Sequence, residues 1–246
     1  MPIKLYCLPK EPNVPSVSGY CQKLETFLRA TSFSDYTLES ASPFSAPKGK
    51  LPFIELEHDD KKEIIADSHF IIKHLIDKNV VSDPDAALTA AQRADSRAWQ
   101  TWTEELIYPA LVHTRWSRPA NFAIESTNLP VPSLLKPLVA RLIRWSILRS
   151  LWGHGVGRHS NDEIDLLLRE YVDGLDARLE RDDYFHGKEP TMIDIIVFGF
   201  LANAIGELAN PEYRAILLAS ERLKRYTAEL TKKWFPEYET LLSDVV

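Results

Sequence analysis

Ser18-Gly19-Tyr20-Cys21-Gln22-Lys23-Leu24-Glu25 follows a short apolar run, Ile3 to Cys7, after the connection Leu8 to Val17. A strand, a connection and then Ser-x-x-Cys opening an amphipathic helix set a hydroxyl and a thiol at the helix start. Unpaired backbone N–H groups and the positive end of the helix dipole collect there. A thiolate or a bound sulfur anion is therefore stabilised at that place, and a cysteine there has a lowered pKa. In redox motifs of this shape both ends are Cys. With Ser18 in the first slot only Cys21 remains, which excludes dithiol chemistry within the motif. What the stretch retains is a place to hold another molecule's sulfur.

The chain around it has 246 residues, 45% apolar and 26% charged, which suits one large globular domain or two small ones. A net charge of −6 argues against nucleic acid as the main partner. Two cysteines, Cys7 and Cys21, are too few for a disulfide scaffold or a cysteine-based metal site. The seven histidines form no ligand set, so no metal is expected. No apolar run reaches the length of a transmembrane helix and no signal peptide is visible, so a cytoplasmic location is expected.

The pattern changes near residue 80. Before it, β-like runs alternate with helical ones: Ile3 to Cys7, a helix from Cys21 to Ala30, a weak strand Tyr36 to Glu39, then strands Pro52 to Glu57 and Glu63 to Ala66. A polar stretch around His58-Asp59-Asp60 signals a hairpin between the last two. Asp67 and Ser68 cap a following helix with Phe70, Ile71, Ile72 and Leu75 on its apolar face. Beyond a linker from Asn79 to Asp85 the patterns are helical. Pro84 and Asp85 open a long helix reaching Trp116; Ser117 to Pro132, with three prolines, reads as a loop; further helices start near Ser160, Thr191 and Pro211. Thr191 to Asp194 is a reciprocal capping sequence with no chemistry assigned. The fold class is therefore an α/β unit plus an all-α unit, with residues 1–80 and 87–246 as the two domains.

Two further motifs bear on chemistry. Gly49-Lys50-Leu51-Pro52-Phe53-Ile54 puts a proline at a strand start just after a turn, where a cis bond leaves the Leu51 backbone free to pair with an incoming peptide. Ala66-Asp67-Ser68 puts a carboxylate, a hydroxyl and free N–H groups at a helix start, a receptor for an α-carboxylate and an amine.

Taken with Ser18-Gly19-Tyr20-Cys21, these motifs resemble the cytosolic glutathione transferase superfamily over nearly the whole chain. Within it the chain is most similar to the metaxin and failed-axon-connections branch. The residues carrying that likeness are Pro12 to Val17, Lys23 to Arg29, Pro47 to Ile54, Ala66-Asp67-Ser68, Trp152-Gly153-His154-Gly155 and Gly157-Arg158-His159-Ser160. The resemblance implies a glutathione-transferase fold, a thioredoxin-like domain followed by a helical one, and usually a homodimer. It implies glutathione as co-substrate, with Ser18 as the catalytic residue holding the sulfur and favouring the thiolate. Leu51 and Pro52 would clamp the cysteinyl unit, and Asp67 and Ser68 the γ-glutamyl end. The implied reaction is attack of the thiolate on, or reversible addition to, a hydrophobic electrophile, by positioning and thiolate stabilisation.

Alternatives stand beside each assignment. Ser18 also reads as a plain helix cap. Cys21 is either a small buried side chain or the thiol of a glutathione-dependent reductase. Tyr6 and Cys7 read as packing residues. Tyr20, Tyr108, Trp116 and Phe122 are candidates for the wall of an electrophile pocket, although aromatics at helical spacing are more often core. Two departures from the family pattern stand out: the connection Leu8 to Val17 is long and carries three prolines, and Gly19 replaces the proline common after the catalytic slot. Segment 134–152 is basic, with Lys136, Arg141, Arg144 and Arg149 and no acid. It reads either as a helix whose arginines pair with acidic neighbours or as a peripheral membrane contact. Relatives in the implied branch include adaptors at the mitochondrial outer membrane, so a non-catalytic adaptor is the competing function.

Overall fold

The computed structural model describes residues 2–58, 61–127, 129 and 131–246. Five-residue β1 (Ile3–Cys7) is the apolar run before the motif, and its alternate side chains Ile3, Leu5 and Cys7 are buried. Helix α1 (Gly19–Ala30) follows the long connection, and β2 (Tyr36–Ser40) returns parallel to β1. β3 (Phe53–His58) and β4 (Lys61–Ala66) pair antiparallel, from Phe53 opposite Ala66 to His58 opposite Lys61. The Asp59-Asp60 part of the expected hairpin turn lies outside the described residues. Sheet order is β2-β1-β3-β4, with β1 and β3 antiparallel. Helix α2 (Ser68–Asp77) then packs Ile71, Ile72 and Leu75 inward as expected, whereas Phe70, expected on the same face, is exposed. A small mixed sheet with its helices, followed by helices alone, is the glutathione-transferase architecture.

The helical part departs from the sequence expectation in two places. Its first helix, α3 (Ala90–Thr101), starts at Ala90, not at Pro84 or Asp85. Thr89 wins the cap because it forms a reciprocal box with Gln92, whereas Asp85 accepts the Met192 N–H at 2.9 Å, anchoring a helix far along the chain. The helix continues as a π-helical turn, Trp102–Ile107, into α4 (Tyr108–Ser117). Residues 117–132, expected to be a loop, contain α5 (Pro119–Thr127). A proline in the first helical turn gives up an N–H that has no intrahelical partner anyway, so Pro119 starts a helix here.

The remaining helices are α6 (Lys136–His154), α7 (Asn161–Arg178), α8 (Met192–Gly206), α9 (Pro211–Ala219), α10 (Glu221–Trp234) and α11 (Glu239–Val245). Thr191–Asp194 forms the expected capping box, and Ser160–Glu163 forms another at the expected helix start. Asp194 also accepts the Phe185 N–H at 3.0 Å and the Tyr226 hydroxyl at 3.1 Å.

Helix α8 is buried almost throughout and lies against α1, joining the two parts of the chain. A Cβ on Gly199 would lie 2.7 Å from the Lys23 Cα, so glycine is what lets the two backbones approach. Lys23 is itself fully buried and donates to Glu104 Oε1 at 2.8 Å, with Gln100 Nε2 donating to the same oxygen at 3.1 Å. This pair ties α1 to the π-helical turn, and its desolvation is offset only because both charges are matched.

Candidate functional site

The cis peptide Leu51–Pro52 and the start of α2 face one cavity of about 360 Å³. Leu51, Pro52, Asp67 and Ser68 all line it, as does Tyr20. The sequence motifs therefore come together as a group. Lys48, Lys50, His69, Phe70, Arg97, Glu104 and Glu105 complete the lining. Those seven were missed; Lys50 lies within the quoted Gly49-Lys50-Leu51-Pro52 motif and Lys48 just before it, but nothing in the pattern of α3 aims Arg97 at it.

Asp67 is the strained member. Its φ of +86° is a left-handed value that a residue with a Cβ adopts only at a cost of about 1–3 kcal/mol. Its Oδ1 accepts the His69 N–H at 2.9 Å, the N-cap bond of α2. Such strain persists where surrounding structure imposes it, and it concentrates at ligand clamps. Burial lowers the His69 pKa, and Arg97 and Lys23 act in the same direction. That imidazole is neutral at pH 7.

Ser18 is placed differently from its expected role. It is buried and does not line the cavity. Its hydroxyl caps α1 by accepting the Cys21 N–H at 3.3 Å. Tyr108 accepts the Gly19 N–H at 3.3 Å. A phenol from α4 thus takes the Gly19 N–H at the helix start where a sulfur anion would be held. Burial pushes the Tyr108 phenol above its ordinary value, outweighing Arg115, the Gly19 N–H and Ser18, so it stays neutral. Tyr20, Tyr108 and Phe200 form an edge-to-face cluster over this point, with ring centroids 5.1–5.3 Å apart. A Cβ on residue 19 would lie 2.5 Å from the Phe200 ring and 3.0 Å from Tyr108. The glycine in place of the usual proline is the sequence mark of this plug.

Three of the four candidate wall aromatics are thus corrected. Tyr20 lines the cavity, and its hydroxyl donates to the Glu104 carbonyl at 2.9 Å. Tyr108 closes the α1 start without lining the cavity. Trp116 and Phe122 pair with each other at 6.0 Å between α4 and α5, and Arg144 lies over Phe122 at 4.7 Å. Both belong to helix packing away from the cavity. The π-helical turn shifts the helical phase between Trp102 and Tyr108, so spacing from Trp99 and Trp102 misplaces everything after it.

The long connection Leu8 to Val17 does not cover the cavity, and none of its residues lines it. It is fastened to the helical part. Asn203 Nδ2 donates to the Ser16 carbonyl at 2.7 Å, and Arg115 to that of Val17 at 3.4 Å. Lys10 donates to the Tyr238 hydroxyl at 2.8 Å and pairs with Glu25 at 3.1 Å.

Cys7 and Cys21 are free and buried. The Cys21 side chain, then burial, pushes the Cys7 thiol well above its ordinary value. Burial also acts to raise Cys21, but hydrogen bonds from Cys7, Ser18 and the Leu8 N–H prevail and leave its pKa lowered. Tyr6 stacks on Phe53 at 4.4 Å, a packing role. Among the described residues no group of three or more His, Cys, Asp or Glu is arranged to hold a metal ion.

The sheet order, the cis-proline cavity and the helical second part define a glutathione-transferase-fold protein. Accordingly, the family model described as Glutathione S-transferase N-terminal domain matches residues 19–121, and that for the Glutathione S-transferase C-terminal domain matches residues 168–230. The chain belongs to the glutathione transferase superfamily.

Within it, the chain is similar to Failed axon connections of Drosophila melanogaster, 28% identical over 253 residues covering 97% of this chain and 59% of that protein. It is also similar to metaxin-1 of Macaca fascicularis, 29% identical over 247 residues covering 96% of this chain and 76% of that protein. The chain therefore spans about three fifths of the first of these relatives. Among solved structures, a glutathione transferase family member from Pseudomonas fluorescens with two glutathione bound superposes with a TM-score of 0.62 at 17% identity, covering 98% of this chain and 92% of that one. At that identity the likeness establishes the fold.

Proposed function

We propose that this chain is a non-catalytic binding module, an adaptor built on the glutathione-transferase fold, in which the peptide cavity is kept and the thiol-activating position is closed. One observation carries the reading: the Tyr108 oxygen accepts the Gly19 N–H at 3.3 Å, at the helix start where a serine-type transferase would hold sulfur. Catalysis of thiol attack needs donors aimed at the developing thiolate. Here the Gly19 N–H already has a partner. The similarity to metaxin-1 and Failed axon connections supports the same direction, since the branch they represent includes adaptors.

Glutathione fits this site in part. The γ-glutamyl end meets the α2 start, where Asp67 and Ser68 stand at the cavity wall beside the Leu51–Pro52 peptide. The cysteinyl sulfur has no place beside Ser18 while Tyr108 is there. Glutathione is therefore read as a ligand of the cavity and not as an activated co-substrate. The reductase alternative draws little support, because Cys21 is 1% exposed and sits behind Ser18 and Cys7.

The test is a conjugation assay on the purified chain with glutathione and chlorodinitrobenzene, followed by absorbance. The rate should equal the uncatalysed rate, and Ser18→Ala should leave it unchanged. A rate well above background that Ser18→Ala abolishes would overturn the adaptor reading and restore the transferase.

A further inference from the structure

Helix α6 has two apolar faces. Ala140 and Leu151 are buried against the helical part, while Leu138, Leu142, Trp145 and Trp152 are about 60% exposed on the other side. At 100° per residue those four, with Arg149, fall within an arc of about 80°. A helix that is apolar all round is normally covered all round. Large apolar side chains exposed in one row mark a surface that meets something.

The charges on that face identify the occupant. From residue 126 to residue 161 the chain has five lysines and arginines and no aspartate or glutamate, although its net charge is −6. Two of the cations are engaged by backbone carbonyls: Arg144 donates to those of Trp116 and Ser117 at 2.8 Å, and Lys136 to that of Thr127 at 2.8 Å. Arg141 and Arg149 are exposed and, among the described residues, have no carboxylate partner. Arg149 lies over the Trp145 ring at 5.4 Å, so cation and indole share one level of the face. Pairing of α6 with α6 of a second copy across a two-fold axis would set these arginines against each other with no acid nearby. Leucine, tryptophan and arginine interleaved on one exposed helix match a different environment, the boundary between lipid headgroups and acyl chains.

We infer that α6 docks flat on an anionic lipid surface, with Leu138, Leu142, Trp145 and Trp152 entering the acyl boundary and Arg141 and Arg149 meeting headgroup phosphates. No described helix is long and apolar enough to cross a membrane, so the contact is peripheral. The inference is independent of the cavity reading, because no α6 residue lines the cavity.

The experiment is co-sedimentation of the full chain with phosphatidylcholine vesicles and with vesicles containing about one-third phosphatidylserine. The chain should pellet with the anionic vesicles, less as salt rises. Arg141→Gln with Arg149→Gln should lower the partition coefficient about thirty-fold, at about 1 kcal/mol for each cation at the surface. Leu138→Glu with Leu142→Glu should abolish binding; both side chains are exposed, and an unchanged melting temperature verifies the fold. Failure of the wild type to pellet with anionic vesicles overturns the inference, as does equal binding by the double glutamate variant. Self-association lost in that variant, without vesicle binding, would give the face to a second copy and also overturn it.

Discussion

Replacing Tyr108 with phenylalanine isolates the plug at the α1 start. The ring stays in its cluster with Tyr20 and Phe200, and only the oxygen leaves. That oxygen accepts the Gly19 N–H at 3.3 Å. Gly19 and Ser18 are both buried, so no water replaces it. A net hydrogen bond is worth about 1 kcal/mol and an orphaned buried donor costs about 1–3 kcal/mol, which puts the loss near 2 kcal/mol. For a chain of this size that is a fall of roughly 4–8 °C in Tm. Urea unfolding and a thermal melt measure it. Tyr20→Phe is the control, because its hydroxyl bonds the Glu104 carbonyl at a cavity wall, where water substitutes at a cost under about 1 kcal/mol. The same variant frees the Gly19 N–H, so glutathione should stabilise Tyr108→Phe more than the wild type. A Tyr108→Phe protein within about 0.5 kcal/mol of wild type, with no added response to glutathione, would refute the reasoning.

Two further substitutions test the strain and the buried charge. At Asp67 the φ of +86° suits glycine, so Asp67→Gly should raise stability by about 1 kcal/mol, while Asp67→Ala keeps the strain, loses the cap to His69 and should lower it by about 1 kcal/mol. The opposite order in Tm refutes the strain. Burial pushes the Glu125 carboxyl up to about 7. A folded pKa above the unfolded one means the fold favours the protonated form, so this group weakens the fold as pH rises from the ordinary carboxylate range through 7. Glu125→Gln should therefore be more stable than wild type by roughly 3 kcal/mol at most above pH 8, with the gap closing towards pH 4.5. Parallel stability profiles from pH 5 to pH 9 would dismiss the buried carboxylate.

What was legible in the sequence were the local signals. The apolar run Ile3–Cys7 is β1 residue for residue, and Asp67-Ser68 and Ser160–Glu163 start helices because capping is decided within four residues. The cavity was legible for the same reason: Leu51, Pro52, Asp67 and Ser68 lie at a turn and a cap, each specified by its neighbours. The prolines near 119–132 misled, since proline breaks a helix interior but suits its first turn. The π-helical turn at Trp102–Ile107 leaves no compositional mark, because it changes hydrogen-bond partners and not residue types. Tyr108 was a candidate wall residue on the family resemblance alone, and no local signal aims a side chain beyond that turn.

The closure at Ser18 is not a single lost side chain but a joint between the two parts of the chain. Tyr108 from α4 and Phe200 from α8 meet at Gly19, and Phe200 stands where any Cβ at that position would go. The proline usual after the catalytic slot in this family has a Cβ and no N–H. It would strike Phe200 and could not donate to Tyr108, so Gly19 and the aromatic plug imply each other. One turn further along α1, Lys23 is held by Glu104 and pressed by Gly199, so the helix cannot withdraw from the plug without exposing a matched buried pair. The departure at residue 19, the buried lysine and the closed sulfur position are therefore one structural commitment. A chain that kept Ser18 for thiol chemistry would have no use for it. A chain that uses the fold as a rigid support, with the cavity and α6 presented outward, does.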